Sequence, residues 1–451
     1  MKFLLILSLS SLLLFSCKKE NEKPTQTGYQ QYGVALSSLP ATEDLVIYEV
    51  NLRAFSSAGN IQGVINRLDE IKALGVTTIW LMPIYSEGEL NAVNSPYCVR
   101  DYKAVSTEYG SLADLRQLTT LAHEKGMSVI LDWVANHTSW DHAWITAHKD
   151  WYTQNASGAI IQPAGTNWAD VADLNFSNTA MQDAQIDAMK YWILEANVDG
   201  FRCDYADGVP FTFWQKAITQ LRAIPNRSLL FLAEGTRADH YAAGFDLSYA
   251  WNFYTATKNV WNGGAASAFY ATHLNEYSTI PTGKHKIRFT TNHDESAWDS
   301  SPMTLFNGKA GALAASVPTI FLGGVPLIYS GQEVGRASTT PFFTKSPINW
   351  AANPDMLQAY KQLYTIYSNS TAARKGTITN YNASSHVVTF KKTYGTEELL
   401  VLVNVRDSIV NYNIPAALQN TSWNDQRTNA AMNLGTTLSL PAYSYYLLKN
   451  E

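Results

Sequence analysis

Eight short apolar runs, most followed by a stretch with helical spacing, recur along this chain and restrict its fold more than any other feature. They are Leu45–Val50, Thr77–Pro83, Met127–Val134, Gly200–Asp204, Leu229–Glu234, Phe245–Tyr249, Ile287–Asn292 and Pro326–Ser330. Helical patterns fall at 61–74, 111–125, 178–197, 211–223, 264–276, 303–316 and 353–369. Apolar strands alternating with helices mark a parallel sheet covered by helices. Eight such units are the number that closes a (β/α)8 barrel. The expected fold is therefore α/β, a (β/α)8 barrel over 41–373, with one polar, Trp-bearing insertion at about 138–177 after the third strand. An open doubly wound sheet is the alternative. No run is followed by G-x-G-x-x-G or a Walker sequence, so nucleotide binding has no support. From 374 to 451 the pattern changes to short alternating strands, among them His386–Lys391, Leu399–Asn404, Ile409–Ile414 and Tyr443–Leu448. That segment reads as a C-terminal antiparallel β-sandwich packed against the barrel.

In a barrel the C-terminal ends of the strands carry the chemistry. Here the third strand runs into Asp132, Asn136 and His137, the fourth ends on Arg202 and Asp204, the fifth on Glu234, and the seventh on Asn292, His293 and Asp294. Each alone could be a helix cap or a buried ion pair; four in succession point to a site. Residues two apart on a strand face the same side, so Arg202 and Asp204 both face the barrel interior. The guanidinium would hold Asp204 ionised, while Glu234, pressed by negative neighbours and partial burial, would keep its proton. An ionised carboxylate beside a protonated one is the pairing that hydrolyses glycosides, with ~5 Å between them for a retaining reaction.

Charge removes other functions. With 38 acidic and 33 basic residues, a net charge of -5 and no basic run in the mature part, the chain has no footprint for nucleic acid. Beyond the first sixteen residues no apolar stretch approaches the ~20 residues that span a bilayer. The N-terminus itself reads as an address: Met1-Lys2, an apolar run Phe3–Phe15, then Ser16-Cys17 before Lys18-Lys19. Leu14-Phe15-Ser16-Cys17 resembles the lipobox of bacterial lipoproteins. This implies a signal peptide over 1–17, lipidation of Cys17, and export to the cell envelope, periplasmic or cell-surface, with membrane contact by the lipid anchor only. Residues 18–40 read as a flexible tether. Cys98 and Cys203 then remain, either as two thiols or as one bridge.

Four segments together resemble glycoside hydrolase family 13, the α-amylase family: Asp132-Trp-Val-Ala-Asn-His137, Gly200-Phe-Arg-Cys-Asp204, Ala233-Glu234 and Phe289-Thr-Thr-Asn-His-Asp294. Gly75–Pro83, Tyr97 with Asp101-Tyr102, Asp173-Leu-Asn175 and Gly324–Glu333 support the match. The resemblance implies a TIM barrel with the insertion as domain B. It implies Asp204 as nucleophile, Glu234 as general acid and base, and Asp294 gripping sugar hydroxyls in the transition state. Arg202, His137, His293, Tyr97 and Asn292 would serve as substrate-binding residues, Arg202 by orienting Asp204 and Tyr97 by stacking on the sugar. Trp140, Trp144, Trp151 and Trp168 are candidate sugar platforms, each also a candidate for core. The chemistry needs no cofactor. A structural calcium held by Asn136 and the carbonyl of residue 208 is left open, because the His that many members carry at that position is Gly208 here. The strand-one loop Asn51–Asn60 also lacks the acidic cluster of a second calcium site.

The resemblance implies a retaining hydrolase of α-1,4 bonds in starch-like α-glucans, endo-acting in the manner of an α-amylase; a monomer is the expectation, though no residue fixes the oligomeric state. The alternatives are an α-glucosidase or glucan transferase of the same family, and a non-catalytic glycan-binding protein on the same fold.

Overall fold

A computed structural model describes residues 28–36, 38–381 and 384–450; the expected lipidation site Cys17 lies outside them. All eight expected strands form: β1 Ile47–Val50, β2 Thr78–Leu81, β3 Ser128–Trp133, β4 Gly200–Cys203, β5 Leu230–Ala233, β6 Leu247–Tyr249, β7 His285–Arg288 and β8 Val325–Tyr329. Each pairs in parallel with its neighbours in chain order, and β1 closes the ring against β8. Closure demands close approach between β4 and β5, and Gly200 permits it. Its φ is 145°, and a Cβ there would lie 1.9 Å from the Leu230 carbonyl oxygen.

Alternation along the strands divides the core in two. Ile47, Trp80, Ile130, Leu232, Ile287 and Leu327 fill the barrel interior. Tyr48, Ile79, Leu131, Phe201, Phe231 and Ile328 point outward into the helical layer. That layer includes α1 Leu112–Glu124, α2 Thr179–Glu195, α3 Phe211–Arg222, α4 Trp251–Trp261, α5 Ala268–Tyr277, α6 Gly308–Phe321 and α7 Pro354–Asn369. Helix α4 was not expected from its sequence. Aromatic and Thr residues, weak helix formers, make up most of it, and burial of Phe253, Tyr254, Val260 and Trp261 outweighs that preference. The single helix expected over 61–74 is two short ones, Ile61–Ile65 and Leu68–Lys72.

The insertion pairs His137–Ser139 with Val171–Asp173 and packs Trp151, Tyr152, Ala172 and Leu174 into a small core of its own. The C-terminal region is a six-stranded antiparallel sheet facing a two-stranded one. Val387, Leu400, Leu402, Trp423 and Leu448 belong to its own core, while Val388, Phe390, Val401 and Leu447 join the core of the barrel. Residues 28–40, read from composition as part of a tether, lie partly against the barrel. The Tyr29 hydroxyl donates to Asp187 at 2.6 Å, and Tyr32 N–H to the Leu194 carbonyl at 2.8 Å. Cys98 and Cys203 are both buried and unbridged. Among the described residues no helix is long and apolar enough to cross a membrane.

Candidate active site

The inward-facing positions follow one rule on four strands: an apolar or deep residue first, a charged one at the mouth. Ile47 precedes Glu49, Ile130 precedes Asp132, and Leu232 precedes Glu234; on β4 Arg202 itself is the deep member and Asp204 the outer one. Arg202 is the hub. Its Nη1 donates to Asp132 Oδ1 at 2.8 Å and to Asp204 Oδ1 at 3.0 Å. Its Nη2 lies 2.9 Å from Glu234 Oε1, an ion contact outside hydrogen-bond alignment. Nε donates to the Tyr249 hydroxyl at 3.2 Å, and the guanidinium sits 5.1 Å from the Trp80 ring centre. One buried cation thus faces three carboxyl groups, and so many negative charges cannot all persist away from water.

The protons distribute accordingly. Burial raises Asp204, and Arg202 opposes that rise; burial also raises Glu234, with Arg202 opposing and the Asp204 charge adding to it. Hydrogen bonding between the two carboxyls lowers Asp204 and raises Glu234. Of the two, Glu234 is the one pushed further toward its protonated form. Asp294 is pushed up strongly, by burial and then by Glu234. Burial depresses His137 to about 4, and burial with Arg202 depresses His293 well below its ordinary value, so both imidazoles are neutral.

A second chain of contacts fixes the other side of the mouth. Tyr97 stacks on His293 with ring centres 5.6 Å apart, and its hydroxyl meets His293 Nε2 at 2.8 Å and Asp132 Oδ2 at 3.1 Å. Glu49, buried at the end of β1, bonds His293 Nδ1 from below. Sequence reasoning missed Glu49, although a lone acidic residue in a fully buried strand was the signal already used on the third, fourth and fifth strands.

These groups open onto a cavity of about 580 Å³. Asp204, Glu234, Asp294, His137, His293 and Tyr97 all line it, and Arg202 stands beneath. Asn292 does not line it: its side chain accepts from Glu295 N–H at 2.8 Å and caps the helix His293–Trp298. The backbone has already left the strand there, so β7 ends at Arg288 rather than Asn292. Of the four insertion tryptophans only Trp168 reaches the cavity. Trp144 and Trp151 pack on each other, and Trp140 Nε1 donates to the Ala169 carbonyl. Trp298, Phe342 and Phe343 also line the cavity and were not anticipated; Trp298 ends the six-residue helix His293–Trp298, too short for periodicity to show, and Phe342 and Phe343 lie outside regular elements.

Asp207 ties the turn after Asp204 to the turn after Glu234. Its carboxylate accepts from Thr236 N–H at 3.0 Å and Arg237 N–H at 3.2 Å, and meets buried His240 Nε2 at 2.7 Å. Burial would raise this carboxyl, but those hydrogen bonds, led by His240, hold it at about 2. Asp207→Ala strands two N–H groups and the imidazole. We expect a loss of about 1–3 kcal/mol of stability, read as a lowered urea midpoint with the slope unchanged.

The residues named for calcium do not fit one. Among the described residues no three His, Cys, Asp or Glu side chains converge to hold a metal ion. Arg237 Nη1 donates to the Asp207 and Val209 carbonyls that flank Gly208, placing a guanidinium beside that turn. Asn136 Nδ2 faces His137 Nδ1 at 3.5 Å, and its backbone carbonyl accepts from Leu174 N–H, which ties this loop to the end of the insertion. In the strand-one loop Arg53 occupies the centre, bonded to Glu87, Glu108 and the Phe342 carbonyl.

Known proteins resemble this chain in sequence and in fold. A family model described as Alpha amylase, catalytic domain, matches residues 51–385. Alpha-amylase 2 of Dictyoglomus thermophilum is 26% identical over 407 residues, covering 85% of this chain and 70% of that relative. A cyclomaltodextrinase of Thermoanaerobacter pseudethanolicus is 24% identical over 375 residues, 77% of this chain and 63% of its own length. The crystal structure of an α-amylase from Lactobacillus plantarum superposes with a TM-score of 0.82 at 29% identity, covering 91% of this chain and 100% of that one.

Proposed function

Because this chain belongs to the α-amylase family of glycoside hydrolases, we propose that it is a retaining enzyme cutting α-1,4-glucosidic bonds in starch-like α-glucans. Asp204 is the nucleophile and Glu234 the general acid and base. The observation that carries this reading is the Arg202 fork, which holds Asp204 and Glu234 side by side, with burial pushing Glu234 toward its protonated form. Both carboxyls sit on one guanidinium, Asp204 Oδ1 at 3.0 Å from Nη1 and Glu234 Oε1 at 2.9 Å from Nη2, which favours the ~5 Å spacing of a retaining pair over the ~6.5–9.5 Å of an inverting one.

Glu234 protonates the glycosidic oxygen as the bond to C1 breaks, and Asp204 attacks C1 from the opposite face to give a covalent glycosyl-enzyme. Water, deprotonated by the Glu234 carboxylate, then releases the sugar with its configuration retained. Neutral His137 and His293 keep hydrogen bonds available for sugar hydroxyls without adding charge, and Tyr97 offers a ring face. Glu49 fixes His293 from below, as an outer partner orients a ligand-binding imidazole.

Endo action is supported by two separate aromatic groups in the cavity wall, Trp168 with Tyr205 and Trp298 with Phe342 and Phe343. Two such platforms suit a glucan that continues past the cleaved bond. Products from soluble starch, pullulan and maltooligosaccharides test this. An endo enzyme yields a spread of oligosaccharides from starch early in the reaction; glucose alone from short oligosaccharides, with starch untouched, would make the chain an α-glucosidase.

We also propose export and anchoring through a lipid on Cys17, on the strength of Leu14-Phe15-Ser16-Cys17 after the apolar run. Mass analysis of the mature N-terminus is expected to find a lipid-modified Cys17; an unmodified terminus at any other residue would refute it.

A further inference from the structure

We infer that Tyr205, together with Trp168, is the platform for the sugar that leaves when the bond is cut. The inference rests on the roles given above to Asp204 and Glu234, and it assigns the acceptor side of the site to residues outside the family's four short segments.

Tyr205 follows the nucleophile directly and adopts φ 42°, ψ 45°, a left-handed conformation that residues with side chains avoid. Such a backbone persists only where the surroundings hold it, and here the Tyr205 N–H donates to Glu234 Oε2 at 2.7 Å. The same turn that orients the acid therefore aims this ring. The ring lies over Gly208, where an added Cβ would sit 2.2 Å from Tyr205 Cε1 and 2.5 Å from Cδ1. Many family members carry a His at that position; in this chain the missing side chain is the space the Tyr205 ring occupies. The two departures, an aromatic residue after the nucleophile and a glycine three positions on, are one feature.

Packing does not explain the ring. Tyr205 is 36% exposed, lines the cavity, and meets Trp168 edge-on with centres 5.1 Å apart. The side of the bond it serves follows from the chemistry. An acid must stand beside the oxygen of the leaving sugar, and Tyr205 is attached to Glu234 through its own backbone. Tyr97, His137 and His293 enclose the sugar that stays. An aromatic face next to Glu234 thus meets the apolar face of the sugar that departs, and of any sugar that arrives as an acceptor.

Two substrates separate this role from every other. Maltopentaose leaves a sugar on the acceptor side, whereas α-maltosyl fluoride leaves only a fluoride ion. For Tyr205→Ala, kcat/KM on maltopentaose is expected to fall about tenfold more than on the fluoride. Tyr205→Phe, which keeps the ring, should follow the wild type, and Gly208→Ala, which drives the ring away, should follow Tyr205→Ala. Equal losses on both substrates, or no loss on maltopentaose, would overturn the assignment. Turnover of the fluoride by the wild type and its loss in Asp204→Asn test the nucleophile separately, and the Glu234→Gln comparison tests the acid, so the two failures are distinguishable.

Discussion

Asp204→Asn is expected to lower hydrolysis of α-glucans by on the order of 10⁴-fold or more, the scale seen when a nucleophile is removed from a unit that acts together. The fold should survive. Arg202 keeps Asp132 at 2.8 Å and the Glu234 contact at 2.9 Å, so the buried cation is never left alone. The amide oxygen of Asn can also accept from Nη1. A loss of 10⁴ corresponds to about 5.5 kcal/mol in the barrier, far beyond what a small shift of the loop could produce. Steady-state rates on soluble starch beside a thermal melt would check both halves. Turnover within tenfold of wild type would remove Asp204 from the reaction.

Glu234→Gln should produce a different pattern. On natural glycosides, whose leaving sugar needs a proton, the rate is expected to fall about 10²–10⁴-fold with binding largely kept. On a glycosyl fluoride the first step needs no acid and should continue. The pH profile carries the same assignment. Wild-type activity is expected to fall at low pH as Asp204 takes up a proton and ceases to be a nucleophile. It should fall at high pH as Glu234, whose pKa burial has raised, loses the proton it must donate. The variant should lack the high-pH fall for cleavage of the fluoride, and persistence of that fall would assign it to another group.

The strands and their charged ends were legible because a barrel imposes two regular signals, eight apolar runs and polar residues where the runs stop. Asp204, Glu234, Asp294, His137 and His293 came from those signals, Tyr97 from the family resemblance alone, and all six line one cavity. What stayed hidden has physical causes. Trp298, Phe342 and Phe343 come to the cavity from the segments after β7 and β8, where no period relates sequence to direction. Asn292 reads as a strand end but spends its side-chain oxygen on a helix cap. The insertion tryptophans are alike in sequence, and only tertiary packing separates Trp168 from Trp144 and Trp151. A glycine at 208 reads as the loss of a His until the Tyr205 ring is found in its place.

The covalent step can be observed directly. Glu234→Gln treated with α-maltosyl fluoride should form the glycosyl-enzyme and release it slowly, since the base that activates water is gone. Intact mass should then increase by one maltosyl unit, and peptide mapping should place it on the peptide that contains Asp204. An adduct on any other carboxylate, or fluoride release with no adduct and with inverted product, would contradict Asp204 as the nucleophile of a retaining hydrolase.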